Sequence, residues 1–131
     1  MWTWARDRRF PKLATWFNAQ VAAGHVLVCD IVILELIRLS PNETRARRVA
    51  ERLDAFQSIP MPASLWPRAR ELQLLLTTSG EHRRVPPVDL LIAGAAEAAG
   101  VPLVHYDRDY ERLAKVCELE HHWLLPDGTL A

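Results

Sequence analysis

Cysteine, glycine and long apolar runs are scarce in this chain, and each scarcity excludes a class of protein. Only Cys29 and Cys117 occur among 131 residues, which provides neither a disulfide framework nor a cysteine-rich zinc site. The chain contains no Gly-x-Ser-x-Gly motif and no phosphate-binding glycine loop. Charged residues interrupt every apolar stretch well before the roughly 20 residues that a bilayer-spanning helix needs. We therefore expect a cytoplasmic protein with no membrane association.

The chain also lacks an excess of charge of either sign, since 16 basic residues balance 16 acidic ones. Net charge therefore gives no support for nucleic-acid binding. Arginines do cluster within residues 6–12, 45–52 and 83–84, and the simplest interpretation of each cluster is a solvated helix face. The length and the hydrophobic fraction of 50% predict one folded domain covering residues 1–131.

Apolar periodicity and turn residues predict an alternation of helices and strands. The predicted helices cover residues 13–23, 31–39, 43–56, 65–78, 89–99 and 108–116, and the predicted strands cover 26–29, 58–61, 101–106 and 121–125. We expect Asp30 and Ser64 to cap the helices that follow them. Strand and helix in alternation indicate an α/β fold with an open parallel sheet, in which ligands bind beyond the carboxyl ends of the strands.

Four carboxylates fall at that predicted edge. Glu35 lies within the apolar run 31–37, Asp89 opens an alanine-rich helix, and Asp107 and Asp109 follow the apolar strand 101–106. A carboxylate in apolar surroundings is costly unless it is paired, hydrogen-bonded or bound to a metal. Oxygen ligands of this kind suit Mg²⁺ or Mn²⁺, and a bound ion can activate water for phosphodiester cleavage. The pattern therefore favours a metal-dependent hydrolytic site.

Simpler roles remain open for each residue taken alone. Asp89 can cap its helix, Glu35 can face outward on a half-exposed helix, and residues 107–109 can form an ordinary polar turn. All five histidines are interpreted as structural or solvent-facing. His121 and His122 are neighbours on a predicted strand and so point to opposite faces, which disfavours a shared ion.

Residues 26–36 and 86–114 resemble the PIN-domain ribonucleases, and most closely the VapC toxins of bacterial toxin–antitoxin pairs. The resemblance covers nearly the whole chain. It implies a PIN-like three-layer fold with a mostly parallel central sheet flanked by helices. By position, Glu35 matches the second acidic residue of the family and Asp89 the third. Asp107 matches the fourth, and Asp109 is the neighbouring, less constant carboxylate.

The resemblance also implies an activity and partners. It implies a Mg²⁺- or Mn²⁺-dependent endoribonuclease that cleaves RNA of the tRNA or rRNA class by a metal-activated water. Glu35, Asp89 and Asp107 would be catalytic, and Asp109 would join them in binding the metal. A homodimer and a small VapB-type antitoxin would be the protein partners. Residues that contact RNA are not predicted.

The chain departs from the family pattern at its start. The family has its first carboxylate in an Asp-x-Ser pattern after an N-terminal strand, whereas here only Thr3 matches the hydroxyl residue and Asp7 falls too far along. We therefore expect the first strand to be absent from this chain, and nuclease activity to be reduced or absent. The alternative is a truncated or catalytically inactive PIN-like protein that acts only as a partner-binding module.

A phosphoaspartyl protein is a third class that the segment Asp107-Arg108-Asp109 suggests. Haloacid-dehalogenase-like phosphatases also need a downstream lysine. The chain has only Lys12 and Lys115, and Lys115 lies six residues after Asp109. This spacing disfavours the phosphatase.

Overall fold

The computed structural model describes residues 10–129. Thr3, Asp7 and the arginines at positions 6, 8 and 9 lie outside these residues. The chain divides into two compact units at the boundary between Ile59 and Pro60. A single domain over residues 1–131 stays a prediction. Within the described part, every helix is too short or too polar to cross a membrane.

From residue 10 onward, the first unit contains three helices and two short strands. These are α1 (Pro11–Ala22), β1 (Leu27–Val28), α2 (Asp30–Arg38), α3 (Glu43–Asp54) and β2 (Gln57–Ser58). Pro11 suits the first position of α1 because its missing N–H would have no helical partner there. Asn42 caps α3, since its side-chain oxygen accepts a hydrogen bond from the Arg45 amide at 3.0 Å. Helices α2 and α3 pack against each other.

Of the two predicted helix caps, the one at Asp30 is wrong and the one at Ser64 is right in position. Asp30 is the first residue of α2, and Cys29, in extended conformation, occupies the cap position. The acidic side chain still lies where the helix dipole favours a negative charge. Ser64 does precede the fourth helix, but its side chain makes no capping hydrogen bond.

The second unit contains the remaining helices and strands. These are α4 (Leu65–Leu76), α5 (Pro87–Ala99), β3 (Leu103–His105), α6 (Asp109–Ala114) and β4 (His121–Trp123), with 3₁₀ turns at Thr77–Ser79 and Glu81–Arg83. The 3₁₀ turns occupy most of the segment that the sequence presents as a polar loop. Gly100 ends α5 in the left-handed region at φ 66°, where a Cβ would be strained.

Helix α5 forms the centre of the second unit, and all its residues from Asp89 to Ala96 are buried. It packs against α4, and both helices contact α6. Leu72, Leu76 and Leu113 are the largest fully buried side chains. A Cβ added at Gly94 would lie 3.6 Å from Leu65 Cδ2, an ordinary van der Waals distance, so there is room for a methyl group between α4 and α5 at this point.

All strand pairing in the described residues is parallel, as the alternation of elements predicts. Strand β1 pairs with β2, and β3 pairs with β4, which gives a two-stranded sheet in each unit. The strands are shorter than predicted. Pro60 follows β2 and Pro102 precedes β3, and proline has no N–H for a sheet hydrogen bond.

Candidate metal centre

Asp89 lies in the first turn of α5, where two prolines fix the start of the helix. Pro86 occupies the cap position in extended conformation and Pro87 is the first helical residue. Asp89 is therefore not the helix cap that the simpler interpretation requires. Its side chain is buried, with only 9% of the residue exposed, and it lies near the positive end of the helix dipole.

Asp107 and Asp109 are positioned by the turn that joins β3 to α6. The Asp107 carboxylate accepts a hydrogen bond from the Asp109 amide at 2.9 Å, which makes an Asx turn at the start of the helix. The Asp107 carbonyl accepts a second one from the Tyr110 amide at 3.3 Å. The segment is therefore a polar strand-to-helix turn, and that turn directs two carboxylates to one place.

The structure brings Asp89, Asp107 and Asp109 together. One carboxylate oxygen from each lies within 4.8 Å of the others. Asp89 and Asp109 are buried and Asp107 is exposed, so the group opens to solvent on one side. At that separation and an effective dielectric near 20, two ionised carboxylates repel by roughly 3 kcal/mol. Three oxygen donors of this kind fit a hard divalent cation such as Mg²⁺ or Mn²⁺.

The pKa values reflect this crowding. Burial, the shared hydrogen bond with Asp109 and the charge of Asp107 together raise the pKa of Asp89 to about 7 from 3.8. The pKa of Asp109 is also raised, first by burial and then by the charge of Asp107. Without a cation, the cluster therefore holds a proton near neutral pH. A bound cation would replace that proton.

Two further side chains support the cluster. The Tyr110 hydroxyl donates a hydrogen bond to Asp89 Oδ1 at 3.1 Å, and Tyr110 is itself buried. The Arg112 guanidinium contacts Asp109 Oδ1 at 2.8 Å and Glu81 Oε2 at 3.1 Å. Sequence patterns did not single out either residue. A tyrosine and an arginine at positions i+1 and i+3 after Asp109 are the only signal available.

Glu35, the remaining predicted site residue, belongs to the first unit. It lies on α2 and its carboxylate pairs with Arg38 at 2.8 Å, with 23% of its side chain exposed. The hydrogen bond from Arg38 lowers the pKa of Glu35. This ion pair is what the outward-facing interpretation expects of a helical glutamate. The catalytic role of Glu35 remains a prediction.

A pair of histidines lies behind the three carboxylates. His105 Nε2 lies 2.8 Å from His121 Nδ1, and His105 Nδ1 accepts a hydrogen bond from the Asp107 amide at 3.1 Å. Burial, followed by the nearby His121, lowers the pKa of His105 to about 4. His122 faces away and contacts Glu120 at 3.3 Å, as the strand alternation predicts. Residue spacing does not predict the contact between His105 and His121, because they lie on separate strands.

The comparisons with known proteins agree on the family. The PIN domain family model matches residues 1–116. Ribonuclease VapC18 of Mycobacterium tuberculosis is 34% identical over 122 residues, which cover 92% of this chain and 89% of the relative. Ribonuclease VapC21 of the same species is 42% identical over 107 residues, covering 81% of this chain and 78% of the relative.

A solved structure confirms the fold. The crystal structure of VapBC2 from Rickettsia felis, bound to a DNA fragment from their promoter, superposes with a TM-score of 0.67 and 20% identity, covering 88% of each chain. At that identity the likeness concerns the α/β fold alone. Together with the family match and the curated relatives, it shows that this chain belongs to the PIN-domain family and, within it, to the VapC proteins.

Proposed function

We propose that this chain is a divalent-metal-dependent endoribonuclease, the toxin of a VapBC-type pair, which cleaves RNA of the tRNA or rRNA class. The convergence of Asp89, Asp107 and Asp109 within 4.8 Å is the observation that carries the proposal. The names of the relatives support it, since both VapC18 and VapC21 are described as ribonucleases. Glu35 would be the fourth acidic residue of the site.

In this proposal the cluster holds one cation, Mg²⁺ or Mn²⁺, through Asp89 and Asp107, with Asp109 as a further ligand. Arg112, which also pairs with Glu81, does not neutralise the three carboxylates, so the cluster has negative charge that a divalent ion would balance. When bound, such an ion lowers the pKa of a water molecule and neutralises charge on a phosphoryl oxygen. The hydrogen bond from the Tyr110 hydroxyl orients the Asp89 carboxylate. The burial of Asp89 and Asp109 limits the access of water to their side chains.

A basic cleft beside the cluster offers a place for the RNA backbone. The cleft has a volume of about 440 Å³, and the four cationic side chains that line it outnumber the two acidic ones: Arg84, Arg108, Arg112 and Lys115 against Glu81 and Glu111. Arg112 joins the two features, since it also contacts Asp109. Glu81 pairs with Arg112 and with Lys115, whereas the Arg84 guanidinium makes no ion pair with any residue between 10 and 129. We infer that Arg84 contacts a phosphate of the substrate.

Protein partners follow from the same family membership. A small VapB-type antitoxin is the expected inhibitor, and the Rickettsia felis neighbour is a VapBC structure. A homodimer is the expected assembly.

An RNA-cleavage assay tests the proposed activity. Total tRNA and rRNA are incubated with the chain and Mg²⁺ or Mn²⁺, with and without a chelator. Because the chain departs from the family pattern at its first carboxylate, we expect weak cleavage that needs the metal, and loss of that cleavage in Asp89→Asn. Asp54→Asn changes an exposed carboxylate at the end of α3 and serves as the matched control, which should cleave like the unchanged chain.

The same assay distinguishes the partner-binding alternative. A chain that binds a VapB-type antitoxin but cleaves neither tRNA nor rRNA with either metal would favour the inactive module. Cleavage that is insensitive to the chelator and to Asp89→Asn would refute the proposed site.

A further inference from the structure

We propose that His105, held in one tautomer by His121, is a positioning residue for the three-carboxylate cluster. The inference deepens the proposed function and rests on it, because the cluster is taken as the metal centre. His105 does not belong to the group of carboxylates that surround the candidate ion position. Its role would be to orient these three carboxylates through the Asp107 backbone and the Tyr110 ring.

The hydrogen bonds define the protonation of both rings. His105 Nδ1 accepts from the Asp107 amide, so in the neutral ring the proton must be on Nε2. That Nε2–H then donates to His121 Nδ1 at 2.8 Å. His121 Nδ1 can accept only if it is unprotonated, which assigns the proton of His121 to its Nε2. The geometry therefore points to two neutral rings with a single direction of donation.

His105 reaches the cluster by two routes. Through its Nδ1 it fixes the Asp107 backbone, and the Asp107 carboxylate in turn accepts from the Asp109 amide at 2.9 Å. Through its ring face it packs against Tyr110, with centroids 5.0 Å apart, and the Tyr110 hydroxyl holds Asp89 at 3.1 Å. His105, of which 7% is exposed, is thus linked to all three carboxylates through these contacts.

The histidine suits this position better than an apolar residue of similar size. A leucine would fill the space but leave the Asp107 amide without its acceptor. The Asx turn that directs Asp107 and Asp109 would then be held less firmly. Groups that orient metal ligands without touching the metal typically account for about 10–100-fold in metal affinity.

Mn²⁺ affinity, measured by calorimetry together with thermal unfolding, tests the role. His105→Leu removes the acceptor, whereas His105→Asn keeps one, since its Oδ1 occupies about the place of Nδ1. We expect His105→Leu to weaken Mn²⁺ binding about tenfold or more and His105→Asn to stay within about threefold of the unchanged chain. Equal affinities for the two variants, or losses that simply follow the unfolding temperature, would overturn the positioning role.

A second pair of variants and one spectrum keep the inference testable if His105→Leu does not fold. His121→Phe removes the acceptor of His105 Nε2–H and should weaken Mn²⁺ binding, whereas His122→Phe, the matched change on the opposite face of β4, should not. In the unchanged chain, ¹⁵N spectra of the imidazoles should report Nδ1 of His105 as unprotonated and Nε2 as protonated. A protonated Nδ1, or equal effects of the two phenylalanine variants, would contradict the assignment.

These measurements separate the inference from the function on which it rests. Absence of Mn²⁺ binding by the unchanged chain, or full binding by Asp89→Asn, would overturn the metal centre itself. Mn²⁺ binding that Asp89→Asn abolishes but that both His105 variants retain would leave the metal centre intact and refute only the role of His105.

Discussion

The ionisation of Asp89 is subject to opposing electrostatic effects. Burial and neighbouring carboxylates disfavour its charge, while the Tyr110 hydroxyl stabilises it. Such a balance suits a ligand that is uncharged in the free chain and charged once a cation is bound. It also makes Asp89 the residue whose substitution reports most clearly on the site.

The stability of the metal-free chain should depend on pH through Asp89. Its pKa is about 7 in the folded chain against an ordinary 3.8, so the folded state binds the proton more tightly than the unfolded chain. The stabilising contribution is therefore complete below about pH 4 and is lost as pH rises through about 7. Between about pH 5 and about pH 8 this amounts to roughly 2–3 kcal/mol.

Urea unfolding in the presence of a chelator checks this pH dependence. In Asp89→Asn the free energy of unfolding should decrease much less as pH rises, because asparagine does not titrate. Added Mn²⁺ should reverse the decrease for the unchanged chain, since the ion binds the ionised carboxylate. An identical fall in stability for the unchanged chain and for Asp89→Asn would contradict the assignment of the raised pKa to Asp89.

Tyr110→Phe should cost more stability at high pH than at low pH. The hydroxyl donates to Asp89 Oδ1, and a hydrogen bond to a charged group contributes about 1.5–3 kcal/mol. Above about pH 8 Asp89 is ionised and loses that bond, whereas near pH 5 it is protonated and depends on it less. Free energies of unfolding at both pH values measure the difference. A cost that is independent of pH would show that Tyr110 acts only through packing.

For individual residues, the sequence pattern indicates the carboxylates but not the side chains that contact them. Asp89, Asp107 and Asp109 stand out because a charge beside an apolar run needs an explanation. Tyr110 and His105 do not stand out, because an aromatic side chain in an apolar segment is an ordinary core residue. Their roles depend on contacts between a strand, a turn and a helix that spacing along the chain does not reveal.

Secondary-structure elements were predictable where their periodicity is long and their ends are chemically marked. Helix α5 is an example, since prolines mark its start and Gly100 its end. Strands were predicted in the right places but too long, because proline removes sheet hydrogen bonds next to β2 and β3. Alternation indicated parallel pairing, but it does not specify which strands are neighbours.

Packing of α4 on α5 leads to a prediction about Gly94. Within a helix, glycine is about 1 kcal/mol less favourable than alanine, and the added Cβ would meet Leu65 Cδ2 at an ordinary 3.6 Å. Gly94→Ala should therefore stabilise the chain by about 0.5–1 kcal/mol in urea unfolding. Gly100→Ala is the matched control and should destabilise it, because φ at Gly100 is +66°. Destabilisation by Gly94→Ala would mean that the two helices already touch at that point.

For the molecule as a whole, the balance between acidic and basic residues conceals a local excess of positive charge. The net charge is zero, yet four cations line the cleft beside the acidic cluster. Composition alone could not predict this arrangement, because residues 84, 108, 112 and 115 come together only through the packing of the 3₁₀ turns near α6. RNA binding by this chain should accordingly depend on salt, as contacts to phosphates do.

Arg84→Ala should weaken RNA binding and reduce its dependence on salt. A lost phosphate contact to a single strand lowers the slope of log affinity against log salt by about 0.7. Filter binding with a metal-free chain at several salt concentrations measures the slope. Arg70→Ala, which removes an exposed arginine of α4 outside the cleft, is the control. Equal slopes for the two variants would exclude Arg84 from the RNA surface.

The proposed metal centre can be observed in a crystal of the chain soaked in Mn²⁺, through the anomalous signal of the metal. We expect one strong anomalous peak in direct contact with carboxylate oxygens of Asp89 and Asp107, next to Asp109, and no such peak in Asp89→Asn. A strong peak elsewhere on the chain with none at these three residues would contradict the proposed metal centre.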